Sequence, residues 1–254
     1  MNKYEILGII IIIGLIFSIC AVTIGAVNDN NKSQNNNEQL NLTENTLTNI
    51  SGVKIVNLNI KQEVGGVKIN FTNNSNVYNI TSDSDNPAKV NYTQNGSTLN
   101  VDIDANKSDT NIELSDKYIY NINSDIALGG LDVNFTNANV KIFNSKIILG
   151  GADFVLDNGV VNKINSNINT GGANIVGNPN NKIEITSDIV IGGMNIIPNE
   201  QNLDLKSHTR LGGVFGPSYT LKENANYTEY IGNKTSDNKI NLESKIQIGG
   251  LNLN

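Results

Sequence analysis

Side chains capable of chemistry are sparse in this chain of 254 residues. It holds one Cys (Cys20), one His (His208) and one Arg (Arg210), against 48 Asn. A single Cys excludes a disulfide framework and any Cys-rich zinc site, and a lone His excludes multi-histidine metal centres. His208 has no base, acid or ligand partner in the repeat pattern and reads as a solvated side chain. Arg210, two positions along, reads as surface charge. Gly150-Gly151-Ala152-Asp153 invites comparison with calcium-binding β-rolls, but those need a nine-residue unit with a third Gly and a later Asp. No Gly-rich turn opens onto a helix, so there is no phosphate loop. A net charge of −6 and a pI near 4.8 leave no basic footprint for nucleic acid. These residues predict no catalytic group, no cofactor and no metal site, and they point away from an enzyme.

The elements that carry these residues are set by a repeat. Gly-Gly pairs stand at 65–66, Gly129-Gly130, Gly150-Gly151, Gly171-Gly172, Gly192-Gly193, Gly212-Gly213 and Gly249-Gly250. From 129 to 212 the spacing is 21, 21, 21 and 20 residues, and the last gap of 37 reads as one coil with an insertion. Five residues before the first Gly stand Ser124, Ser145, Ser166, Ser187, Ser207 and Ser244. Apolar residues occupy alternate positions around them. Ile126, Ile147, Ile168, Ile189, Thr209 and Ile246 lie three before the Gly, and Leu128, Leu149, Thr170, Ile191, Leu211 and Ile248 one before. Leu131, Ala152, Ala173, Met194, Val214 and Leu251 lie two after.

Period two means strand, and the Gly-Gly supplies a bend without a Cβ penalty. All the alternating positions, including the one just before the Gly, are expected to face inward, with the serines stacked as a hydroxyl ladder. One such unit buries too little to offset its ordering entropy, so neighbouring coils must cover one another. The expected fold is all-β: a β-solenoid of 21-residue strand-Gly-Gly-strand units, regular over 129–254 and degenerate over 50–128. A two-sheet sandwich would not explain the period.

The outward column between the serine and the bend reads Asp125, Lys146, Asn167, Asp188, His208 and Lys245, with no carboxylate pair in adjacent coils. That argues against a solenoid carbohydrate enzyme. Sequons occur at Asn31, Asn41, Asn49, Asn70, Asn73, Asn79, Asn91, Asn95, Asn106, Asn134, Asn226 and Asn233, and none falls where the repeat is tightest. Loops of an exported domain would carry glycan acceptors in this way, Asn41, Asn49, Asn70, Asn79, Asn91, Asn134, Asn226 and Asn233 among them.

After a short tail at 1–5, Ile6 to Val27 runs uncharged for 22 residues. That length spans a bilayer core, and secretory h-regions are shorter. It predicts a transmembrane anchor, with cleavage after Ala26 as the alternative. Charges around it place the N-terminus inside and the remainder outside. Cys20 follows a bulky Ile19 and reads as a buried thiol, not a lipid attachment site. Residues 28–49 are polar and Asn-rich, the composition of a flexible linker.

The units Asp188-Ile189-Val190-Ile191-Gly192-Gly193-Met194-Asn195-Ile196-Ile197-Pro198 and Leu211-Gly212-Gly213-Val214 resemble the toastrack family of adhesin-type proteins. They also resemble the related C-terminal domain of LiaF-like envelope-stress proteins. The resemblance covers residues 50–254 and implies a non-catalytic β-solenoid module of the cell envelope. LiaF-like proteins carry several spans where this chain has one. The expected function is a membrane-anchored extracellular adhesin-like or envelope-interaction module, with a cell-surface glycan or an envelope protein as partner. The alternative is a bactofilin-like cytoplasmic scaffold polymerising through its ends, favoured by a C-terminal repeat strand at 251–254 with no visible cap.

Overall fold

The computed structural model describes residues 42–48, 50–197, 203–216, 222–224, 227–231 and 240–253. The apolar span at 6–27 lies outside them. Among the described residues all regular elements are strands, and no helix is long and apolar enough to cross a membrane. The N-terminal block holds β1 (Leu42–Thr48), β2 (Ile55–Val64), β3 (Val67–Thr72), β4 (Asn76–Asp83), β5 (Lys89–Asn95), β6 (Thr98–Lys107) and β7 (Thr110–Ser115). Regular units follow as β8 (Ile119–Leu128), β9 (Leu131–Asn134), β10 (Asn139–Val155), β11 (Val160–Val161), β12 (Lys163–Val176) and β13 (Ile183–Ile197). The C-terminal block holds β14 (Leu203–Phe215), β15 (Lys222–Asn224), β16 (Tyr227–Ile231) and β17 (Ile240–Leu253).

Each coil has a first arm, a corner and a second arm; the corner is a Gly-Gly pair except between β6 and β7, where it is Ser108-Asp109, and neighbouring coils pair in parallel. Ser145 lies beside Ser166, Gly150 beside Gly171, and Phe154 beside Ile175. Inward alternation builds one continuous core in which Ile122, Phe143 and Ile164 are fully buried. Around Phe135 the core is aromatic. Phe135 packs edge-on against Phe143 at 5.4 Å, and Phe71 against Tyr120 at 5.4 Å. The Tyr120 hydroxyl donates to the Ser115 carbonyl at 2.8 Å, so its burial leaves no polar atom stranded.

The corner explains the first glycine of each pair. Gly129, Gly150, Gly171, Gly192, Gly212 and Gly249 have φ between 141° and 154°, where other residues are strained. A Cβ at Gly171 would also overlap the carbonyl oxygen of Gly150, and the same holds from coil to coil along the column.

The corner also overturns one expectation. Inward alternation holds up to Ile147 and resumes at Ala152, but Ile148 and Leu149 between them both face out, 46% and 49% exposed. The residues just before the bend are therefore an outer row and not part of the core, with Leu128 and Leu211 exposed likewise. The left-handed glycine rotates the chain and breaks the period-two phase there.

The order of coils differs from the order of sequence at both ends. β17 lies between β13 and β14, pairing in parallel with each. At the other end, β2 lies between β6 and β8. The 37-residue gap is thus a detour: the chain forms β14, adds β16 antiparallel to it, and returns to fill the slot beside β13. This removes the basis for an uncapped C-terminal edge, because 240–253 are interior. Residues 50–128 hold two coils, β2–β3 and β6–β7, the first arm β8, and antiparallel strands. β5 covers β6, β4 covers β7, and β1 covers β4. Strand β1 also lies within 28–49, so the stretch read as a linker ends before residue 42.

The order separates two pairs of like charges. With β6 against β8, Asp104 would stack on Asp125; β2 puts Lys61 between them. With β13 against β14, Glu184 would stack on Asp204; β17 puts Asn241 between them. Replacing Gly171 by Ala should cost at least about 3 kcal/mol, since strain and overlap add. Urea unfolding of purified protein would measure it, and a loss below 1 kcal/mol, roughly the cost of an ordinary substitution, would contradict this account of the corner.

Candidate binding surface

The outer face of the first arms carries two polar rows that follow the coil order. The first is an amide ladder. Asn59 Nδ2 donates to Asp102 Oδ1 at 2.8 Å and Asn123 Nδ2 to Asn59 Oδ1 at 2.9 Å. Asn144 and Asn165 continue it at 2.8 and 2.7 Å. A shorter ladder beside it runs from Asn121 through Asn57 to Asn100, both steps at 2.8 Å. Each ladder amide keeps one N–H and one lone pair for another partner.

The second row alternates in charge. Register places Lys89, Asp104, Lys61, Asp125 and Lys146 side by side, then Asn167, Asp188, Lys245 and His208. In sequence order the same residues look mixed, because Lys245 follows His208. The two rows line an open trough of about 580 Å³ with Asn91 on its rim. That volume falls in the usual range of ligand sites.

The insertion of β17 also gives His208 a neighbour that sequence order hid. Its Nε2 is 4.0 Å from Glu243 Oε1. The serines of the core stack as buried side chains in the order Ser124, Ser145, Ser166, Ser187, Ser244 and Ser207. Ser145 donates to Ser166 at 3.1 Å and Ser244 to Ser207 at 2.8 Å. The Ser124 and Ser187 hydroxyls have no partner among the described residues, so the ladder is bonded in pairs.

Of the sequons, Asn73, Asn91, Asn95, Asn106 and Asn134 are exposed, whereas Asn70 and Asn79 are half-buried. Asn41, Asn49, Asn226 and Asn233 lie outside the described residues.

The second arms carry a feature the sequence reading missed. Asp132 and Asp153 are register neighbours, so a carboxylate pair does sit in adjacent coils. The sequence signal is their common offset, three residues after the first Gly of each pair. Burial, and then the Asp132 charge beside it, push Asp153 up to about 6. Beyond the pair the row becomes amide, with Asn195 donating to Asn174 at 3.0 Å and Asn252 to Asn195 at 3.3 Å. Among the described residues no group of three or more His, Cys, Asp or Glu could hold a metal ion.

An open β-solenoid with polar rows on its outer faces is the class these features define. No family model matches the chain, and no curated protein matches it. Solved structures do. A "putative cell adhesion protein" from Clostridium sporogenes aligns with a TM-score of 0.56 at 15% identity, over 84% of this chain and 99% of that one. A "putative adhesin" from Bacteroides fragilis aligns at 0.36 and 14% identity, over 84% and 97%. Another from Parabacteroides merdae aligns at 0.30 and 13%, over 85% and 97%. The first likeness establishes a shared fold, the adhesin-type solenoid that the repeat resembles.

The raised Asp153 makes stability depend on pH with a defined sign. A carboxyl whose folded pKa is raised stabilises the fold while protonated, and that contribution is lost as pH climbs from about 4 through about 6. Asp153→Asn should therefore gain stability over the parent progressively across this window. Melting temperatures of both proteins at pH 4.5 to 7.5 would show the gap widening, and a constant gap would contradict the assignment.

Proposed function

We propose that this chain is a non-enzymatic, membrane-anchored β-solenoid displayed outside the cell, acting as an adhesin-like or envelope-interaction module. The trough of amides and alternating charges is its recognition face. The observation that carries the reading is the continuity of those rows over several coils. A pattern repeated at each coil, about 4.8 Å apart, suits engagement of an extended surface better than capture of one small molecule. The shared fold with the Clostridium protein supports it, as does the apolar segment Ile6 to Val27 for the anchor. The charges near the trough come in both signs, which disfavours a strongly charged partner. Asn73, Asn91, Asn95, Asn106 and Asn134 are the exposed acceptors among the described residues if the host glycosylates, and a glycan on Asn91 would stand at the trough. The cytoplasmic scaffold loses the observation that favoured it, because strand β17 is held between two neighbours.

Protease shaving of intact cells, followed with an antibody against residues 50–254, tests the location. The domain signal should disappear. Protection in intact cells with digestion after lysis would sink the extracellular reading.

A further inference from the structure

The fold requires the first glycine of all seven pairs but the second in only part of the molecule. The second glycines have no φ in the left-handed region. A Cβ at Gly130 would meet nothing within 4 Å, and one at Gly66 would meet only the Asp109 carboxylate at 3.4 Å. At Gly151, Gly172 and Gly250 it would come 3.0–3.2 Å from a neighbouring backbone carbonyl, which would have to give. Glycine occupies this position in all seven pairs. The result is a strip of backbone without side chains, open at Gly130, half-buried at Gly66, Gly151, Gly172, Gly213 and Gly250, and buried at Gly193.

Two rows of side chains flank the strip. On one side stand the residues before the bend. Val64, Leu128 and Leu149 are register neighbours, each 40–49% exposed; Thr170 then interrupts, and half-buried Ile191 and Ile248 lead to Leu211 at 43%. Three exposed apolar side chains side by side form a patch, not a scatter of single residues. On the other side run Asp132, Asp153, Asn174, Asn195 and Asn252, all donors or acceptors. At the C-terminal end a ring already lies on the floor. Phe215, 65% exposed, places its ring edge 3.4 Å from where a Gly213 Cβ would stand and 3.7 Å from that of Gly250.

We propose that this strip is a binding track for an uncharged linear glycan, which gives the recognition role proposed above a second, chemically specific surface. A flat ring with an apolar face and a hydroxyl edge matches it part by part. The face lies on bare backbone and the apolar patch, as the Phe215 ring does, while the hydroxyls meet the amides and carboxylates opposite. Lys68 stands beside Asp132 in this row, so charge of both signs sits at one end and amides fill the rest, a lining that selects no polyelectrolyte. An extended polypeptide gains its affinity at a strand edge, where backbone groups are open, and the strip is a sheet face whose backbone is already paired.

The test uses the full chain in a non-glycosidic detergent, titrated with cellohexaose and with chitohexaose by calorimetry. At least one should bind, and Gly130→Val should weaken it at least about tenfold while leaving the melting temperature unchanged. Leu149→Ser reads the same track if Gly130→Val destabilises the fold, and it should weaken binding similarly. Lys117→Ala, at an exposed turn outside both the trough and the track, should leave the affinity as it was. No binding of either hexamer at roughly 1 mM, or binding kept unchanged with both Gly130→Val and Leu149→Ser, would overturn the proposal. Displacement of a bound hexamer by an aromatic-rich peptide at lower concentration would overturn the glycan assignment in favour of a polypeptide. Each result stands whichever side of the membrane the domain occupies, so it is separable from the outcome of shaving.

Discussion

The carbonyl oxygen of one corner glycine occupies the space where the next coil's glycine would carry its Cβ. Everything else in the molecule is built on that contact. It runs from Gly65 through Gly129, Gly150, Gly171, Gly192 and Gly249 to Gly212. It lets backbones meet closely enough for Gly65 N–H to donate to the Leu128 carbonyl at 3.0 Å, and Gly129 N–H to that of Leu149 at 3.0 Å. A slip that brought Leu149 to the corner would drive its side chain into the facing carbonyl. The serine stack, the amide ladder and the charged row then inherit their register from the corner instead of having to specify it.

What the corner does not decide is which coil follows which. The inward residues differ in size from coil to coil, as in Ile122, Phe143 and Ile164, and the coil of β6 and β7 turns at Ser108-Asp109 instead of a glycine pair. On the surface the observed order sets Lys61 between Asp104 and Asp125 and Asn241 between Glu184 and Asp204, yet it also stacks Asp132 on Asp153. Surface pairs contribute little to stability, so these accompany the order and do not by themselves select it.

This division explains how much was legible in the sequence. The period, the strand-bend-strand unit and most inward rows could be read because each is a local pattern of residue types. The slot filled by β17 could not, because Ser244, Gly249 and Leu251 align equally well after β14 or before it. The phase break at Ile148 and Leu149 was hidden for a different reason. Alternation counts residues, and a left-handed glycine changes the direction of the chain without changing the count. Asp132 and Asp153 were readable from their common offset after the glycine pair. The trough was not, since its rim residue Asn91 comes from an antiparallel strand outside the repeat.

The inward placement of β2 has a mechanical side. Tension applied to the chain before Leu42 reaches β1 first, an edge strand bonded along its length only to β4. Such a strand unzips one rung at a time under low force. The next strand on the load path is β2, clamped over its ten residues between β6 and β8. Pulling it lengthwise loads both ladders together, in shear, and no single rung can fail alone. A soft fuse is thus wired in series with a stiff clamp, and the molecule yields a short length of chain before the solenoid itself bears the load.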